Sequence, residues 1–358
     1  MNHIILQKQW HIKTMEIKLC INEKICYSGM LRDRNRLIAI MSEEKFLPWY
    51  LQNFIPIIMY HNMNIHCYDT TYSYEIFELY SQVMDLESIS NIDINNLVKY
   101  IKLNNYLLIY CDQFYLKDSI YYKKKHLGSE ILIYGFNSEK KCFYYHTSLI
   151  KKAEYAVGEC SYSDFLLSTR YSVLDSKMNE SIQWQINFGH PFSKFSLKKE
   201  KIPFNLKKVF SHFENLLVDR KLIMYVNSKE IINWTGCGVF DGIKELWMKM
   251  LKDRSSVDQR PIWCIKLFAQ YVLNYKNILV FIETNYNISF ERNLYKECEE
   301  LSQKLMGIYV YFYKYKLTGK TGKQDILECV IQAKNTFKKI VESIIEHLEI
   351  LIINRGIK

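Results

Sequence analysis

Glycine and proline are scarce, 12 and 5 in 358 residues. That is too few turn formers for an all-β sandwich or a collagen-like repeat, so long helices are expected. Long apolar runs are also missing: the longest, around Phe54 to Met59 and Ile344 to Ile353, fall short of the ~20 residues that a membrane helix needs. A soluble chain is therefore expected. Met1 to Lys18 is broken by Lys8, His11, Lys13, Glu16 and Lys18 and lacks the apolar centre of an export signal. The ten cysteines are scattered rather than paired in spacing, which fits a reducing cytoplasm better than a secreted disulfide framework. No repeat of solenoid length is present.

What the chain does have is ordinary globular composition, 49% hydrophobic and 24% charged, and a length that exceeds one compact core, which predicts two domains. The formal charge of +10 favours phosphate-rich or acidic partners by long-range attraction. No nucleic-acid motif accompanies the charge, so no nucleic acid is expected, and a small anionic carrier protein fits equally well.

Periodicity divides the chain. Met30, Leu31, Leu37, Ile38 and Met41 recur near helical spacing, with a helix start close to Cys26, and Leu97 to Leu103 is helical again. Tyr106–Tyr110, Glu130–Phe136 and Lys141–Tyr145 are short β-rich runs, with Asn137 to Lys140 as a turn between the last two. Asp112 to Leu127 reads as a loop carrying Tyr115, Tyr121, Tyr122 and His126. Gly135 within a strand pattern marks a bulge or a close backbone approach. Beyond about residue 170 a polar stretch, Ser176 to Lys201, precedes mainly helical segments, so the expected domains are 1–170 and 171–358. The chain closes on a helical hairpin, Leu301 to Phe312 and Ile326 to Leu351, joined through Thr318 to Lys323.

Two chemical motifs fail on spacing. Thr318-Gly-Lys-Thr-Gly-Lys323 lacks the four-residue glycine separation of a phosphate loop, and His61, His66 and Cys67 neither share a helical face nor suggest a fourth zinc ligand. No metal and no cofactor is expected. Cys26 is the stronger candidate, because unpaired N–H groups at a helix start lower a thiol pKa. A nucleophile of this kind needs a base, and the base needs an orienting group.

The segment His126-Leu-Gly-Ser129-Glu-Ile-Leu-Ile-Tyr-Gly135-Phe-Asn137, followed by Cys142-Phe-Tyr-Tyr-His146-Thr147, resembles the strand pair of the peptidase C39-like, butirosin-biosynthesis-protein-H-like family. Cys26-Tyr27, Leu47-Pro48-Trp49 with Asn53-Phe54-Ile55, Asp112 to Leu116, Val257-Asp258-Gln259-Arg260-Pro261 and the terminal hairpin extend the likeness over most of the chain. The resemblance implies an α+β, papain-like fold with a helical C-terminal domain. It also implies acyl transfer from a carrier-protein thioester to a small-molecule amine, in nonribosomal-peptide or other specialised-metabolite biosynthesis.

The catalytic positions depart from the family. Counting back from Gly135, its histidine falls on Ser129, the aspartate of its Gly-Tyr-Asp becomes Asn137, and its orienting aspartate falls on Thr147. Serine is no base near neutral pH, so His126 is the replacement, with His146 second, and Glu130, Asn137 or Thr147 would steady the imidazole. Tyr115, Tyr121 and Tyr122 are candidates to line an acyl pocket, although core packing suits them too. Arg260 is a candidate clamp for a carboxylate or phosphate, or a partner for Asp258. The competing expectation is a catalytically degenerate member that serves as a binding partner or scaffold in the same type of pathway.

Overall fold

The computed structural model describes residues 15–21, 46–66, 80–90, 92–147, 156–174, 192–218, 220–226, 229–321 and 325–356. In chain order these form β1 (Glu16–Lys18), α1 (Leu47–Asn53), β2 (Ile58–Met59), β3 (Ile65–His66), β4 (Met84–Ser88), α2 (Ile94–Lys102), β5 (Tyr106–Asp112), β6 (Gly128–Asn137), β7 (Cys142–Thr147), β8 (Ala156–Ser161) and α3 (Tyr162–Leu174). Then follow β9 (Phe192–Leu197), α4 (Leu206–Leu217), β10 (Arg220–Val226), β11 (Lys229–Thr235), α5 (Val239–Lys252), α6 (Gln259–Tyr286), α7 (Arg292–Thr318) and α8 (Ile326–Asn354). The class is α+β. Contacts gather these elements into two compact units.

The first unit is built on a seven-stranded sheet in the order β4-β9-β5-β6-β7-β8, with β1 also on β6. Each of its pairings is antiparallel. β6 is long enough for two partners on one side: Gly128 to Ile133 faces β5, and Gly135 to Asn137 faces β1. Alternate residues Leu107, Ile109 and Cys111 of β5 meet Ile131 and Ile133 of β6 and Phe143 and Tyr145 of β7 in one core, the period-two pattern of a pleated strand. Leu97 and Ile101 of α2, four apart on one helical face, close that core together with Phe165 of α3. Gly135 sits where the β6–β7 register shifts. A Cβ there would lie 2.4 Å from the Ile17 carbonyl oxygen, so bulge and close approach coincide at one residue.

The unit runs on to Lys199, past the change in character near residue 170, because β9 inserts between β4 and β5. Its Phe195 is fully buried and stacks on Tyr106 at 5.6 Å. Residues 46–66, expected in the first domain, belong to the second unit, since β2 pairs with β11.

That second unit is helical but also carries a four-stranded antiparallel sheet, β10-β11-β2-β3. α7 packs on both α6 and α8. Fully buried Phe337 of α8 meets Phe240 of α5 at 5.5 Å and Phe268 of α6 at 5.9 Å. Pro48 stands in the first turn of α1, where a missing N–H costs nothing. Thr318 to Lys323 begins as a helix end: Gly319 takes φ 70° and donates its N–H to the Tyr315 carbonyl. Among the described residues no helix is long and apolar enough to cross a membrane.

Candidate functional site

β5 ends at Asp112, and a turn of 3-10 helix, Gln113–Tyr115, starts the excursion that returns at Gly128. Because Asp112 and Gly128 are cross-strand partners, the two ends of this loop are neighbours. Backbone bonds fasten it at the neck, from Gln113 N–H to the Leu127 carbonyl at 2.9 Å, and across its middle, from Lys123 N–H to the Phe114 carbonyl at 3.0 Å.

The Asp112 carboxylate is only 1% exposed, and three donors compensate its burial. Oδ1 accepts from the N–H groups of Phe114 and Leu127 at 3.0 and 3.1 Å, and Oδ2 lies 2.6 Å from His126 Nδ1. In the tautomer that donates Nδ1–H to this carboxylate, Nε2 is the ring nitrogen that keeps a lone pair. Phe114 stacks on the imidazole at 4.2 Å and 17°, and Tyr115 flanks it at 6.1 Å. The His126 side chain is nonetheless 48% exposed, and Nε2 has no hydrogen-bond partner among the described residues. This is an oriented acid–base group: a fixed imidazole able to take a proton at Nε2 and return it.

The remaining sequence candidates lie as follows. Cys26 is outside the described residues. Ser129 and Thr147 point into the sheet interior, 3% and 1% exposed, and neither hydroxyl finds a partner among the described residues. Asn137 stands at the far end of β6 from His126, about 30 Å along the strand at ~3.3 Å per residue. Its Oδ1 accepts from the N–H groups of Glu139 and Lys140 and holds the turn. Glu130 is a buried strand residue opposite Tyr110, and His146 is buried opposite Leu132. The imidazole is therefore steadied by Asp112, and not by Glu130, Asn137 or Thr147.

Tyr115, Tyr121 and Tyr122 are half-buried in the same loop as His126, and Lys123 Nζ lies 5.3 Å from the centre of the Tyr122 ring. Lys123 to Lys125 are exposed between the Lys123–Phe114 bond and the loop neck. Arg260 belongs to the second unit, where Nε and Nη2 hold Asp258 Oδ2 at 2.8 and 2.7 Å.

Sequence reasoning placed Asp112 in a matching segment but missed its role. The available signal was topological: strands 106–112 and 128–137 paired as a hairpin bring residues 112 and 126 to one neck. Among the described cysteines, burial pushes the thiols of Cys264 and Cys298 up to about 12 and also raises those of Cys142 and Cys160. These four are poor nucleophiles near neutral pH. No family model matches the chain, and no curated protein matches it.

Proposed function

We propose that the chain is a thiol-dependent acyltransferase or amide-forming enzyme of papain-like ancestry, with Cys26 as nucleophile and His126, oriented by Asp112, as its base. The observation that carries this reading is the half-exposed imidazole held at 2.6 Å by a buried carboxylate with Nε2 uncommitted. In the proposed reaction Nε2 takes the Cys26 thiol proton, the sulfur attacks the thioester carbonyl, and the departing carrier thiolate receives that proton. An amine then attacks the acyl-cysteine. It gives its proton to Nε2, and the Cys26 sulfur leaves as the new amide forms. Backbone N–H groups beside the nucleophile would stabilise each oxyanion. Lys123 to Lys125, beside His126 on the same loop, suit an acidic acyl or peptidyl carrier protein, and Tyr115, Tyr121 and Tyr122 supply aromatic surface for the acyl chain.

Intact-mass measurement after mixing with a simple acyl thioester or an acyl-loaded carrier tests the reading. The native chain gains the acyl mass, Cys26→Ala does not, and His126→Gln gains it far more slowly. The second reading, a degenerate scaffold in the same type of pathway, draws support from Ser129 and Thr147, buried where the resemblance puts base and orienter. Unmodified native mass with every donor favours the scaffold.

A further inference from the structure

We propose that the first unit binds ordered water between the side chains of Gln113, Ser129 and Thr147, and that this water steadies the turn beneath His126. Gln113 is fully buried, and Ser129 and Thr147 are nearly so. Neither amide atom of Gln113 and neither hydroxyl has a hydrogen-bond partner among the described residues. Buried polar groups are rarely left in that state, and internal water is the usual remedy.

The strand pattern puts the three on one face of the sheet. Cys111 of β5, Ile131 of β6 and Tyr145 of β7 point into the core. Side chains alternate along a strand, so Ser129, two before Ile131, and Thr147, two after Tyr145, face the same way. Gln113 lies two beyond Cys111, and its N–H still bonds the Leu127 carbonyl across the strand pair, which keeps its side chain on that face. Ser129 is the cross-strand partner of Cys111, which sets Gln113 one diagonal step from it. Leu132 pairs with His146, so Thr147 stands beside Ile131 and one diagonal step from Ser129 on the other side. Such steps are ~7–8 Å, a span that these side chains cover with one or two waters between them.

Room and chemistry agree. At the level of Cys111 and Ser129 the face carries two short side chains, where the next level carries Ile109 and Ile131. The lining is neutral, one amide and two hydroxyls that both donate and accept. Asp112 and Glu130 are alternate residues, on the opposite face. A neutral ligand that donates and accepts suits this lining, and an ion does not. The Tyr145 hydroxyl turns toward Gly158 of β8 and takes no part.

Gln113 lies between the two groups that set the imidazole. Asp112 before it holds Nδ1 at 2.6 Å, and Phe114 after it stacks on the ring at 4.2 Å. Water that grips the amide ties the 3-10 turn, Gln113–Tyr115, to β6 and β7, and makes Gln113 a positioning residue. The inference deepens the reading of the Asp112–His126 pair by naming what holds it. Its tests use no acyl donor, so its failure leaves the catalytic reading standing.

Urea denaturation of the full chain separates a wet site from a dry one by sign. Ser129→Ala and Thr147→Val each remove a hydroxyl at nearly constant shape. If the hydroxyl holds water, its loss strands a bonded group and the unfolding midpoint falls; an unpartnered hydroxyl in a dry core is itself a penalty, and its removal raises the midpoint. A crystal structure resolving water should show at least one molecule within ~3 Å of polar atoms on two of the three side chains. For the positioning role, ring nitrogen-15 spectra of His126 should move from the Nδ1–H pattern toward a mixture of tautomers in Gln113→Met, and in Thr147→Val should the first variant not fold. A midpoint that holds or rises in either hydroxyl variant, or a trio without water in the crystal, overturns the water site. His126 signals identical to those of the native chain overturn the positioning role.

Discussion

His126 Nδ1 lies 2.6 Å from Asp112 Oδ2 across fourteen residues of sequence, with the carboxylate buried and the ring half-exposed. That asymmetry separates two roles. The carboxylate is held by three hydrogen bonds away from solvent, while the far nitrogen of the ring has no hydrogen-bond partner among the described residues.

Asp112→Asn should leave the fold intact and slow acyl transfer by about 100- to 10,000-fold, the range of acid–base contributions, because an amide no longer fixes which ring nitrogen carries the proton. Asp112→Ala adds a structural penalty. It strands the N–H groups of Phe114 and Leu127, at about 2–4 kcal/mol. Transfer rates and urea denaturation of the two variants check both parts, and equal activity of native and Asp112→Asn chains removes the role given to the pair.

Asp241 on α5 carries a pH-dependent share of stability in the second unit. Burial raises its carboxyl, but hydrogen bonds from Lys334 of α8 at 2.6 Å and Lys244 at 3.1 Å outweigh that and hold it below the ordinary 3.8. A carboxyl depressed on folding stabilises fully above its unfolded value, and the benefit fades as pH falls through 3.8 and below. Asp241→Asn should cost about 1 kcal/mol at pH 7, after discounting for solvent screening. Urea curves for native and variant chains should converge in acid; a constant gap would contradict the linkage.

Gly135→Ala should destabilise the first unit by about 1–3 kcal/mol and loosen β1 first, because overpacking against fixed backbone has no cheap relief. The new methyl group meets the Ile17 carbonyl at 2.4 Å and Tyr144 Cδ2 at 3.2 Å. Amide exchange at residues 16–18 reads this locally. Protection at Glu16 to Lys18 equal to that of the native chain would show that the strand accommodates the change.

Phe337→Ala should cost about 3–5 kcal/mol. The ring is fully buried among Phe240, Phe268 and Tyr275, side chains of two other helices that cannot all collapse into the space. Thermal denaturation of the full chain measures the loss.

The elements that the sequence made legible were those with a complete local pattern. Strands 106–112, 128–137 and 142–147 are short β-rich runs, α8 keeps its three- and four-residue rhythm, and Gly135 announced both its bulge and its close backbone approach. β9 escaped notice because Phe192 to Leu197 is half polar, and its place comes from partners more than eighty residues away, Tyr106 to Ile109. Half of the small sheet of the second unit was missed for a related reason, since β2 and β3 are two residues each and carry no periodic signal, whereas the seven-residue strands β10 and β11 were simply overlooked. Within the site, His126 was legible as a residue type at a strand entrance. Asp112 was not legible as its partner, since the pairing is a property of the hairpin neck and not of either local segment.

The loop from Gln113 to Leu127 is fastened to itself at its base and carries three exposed lysines beside His126. Doubling the length of such a loop adds only about 0.6 kcal/mol of closure entropy, so the tip is free to diverge at little thermodynamic expense. The outer surface of the loop can be redrawn while the Asp112–His126 pair beneath it stays anchored.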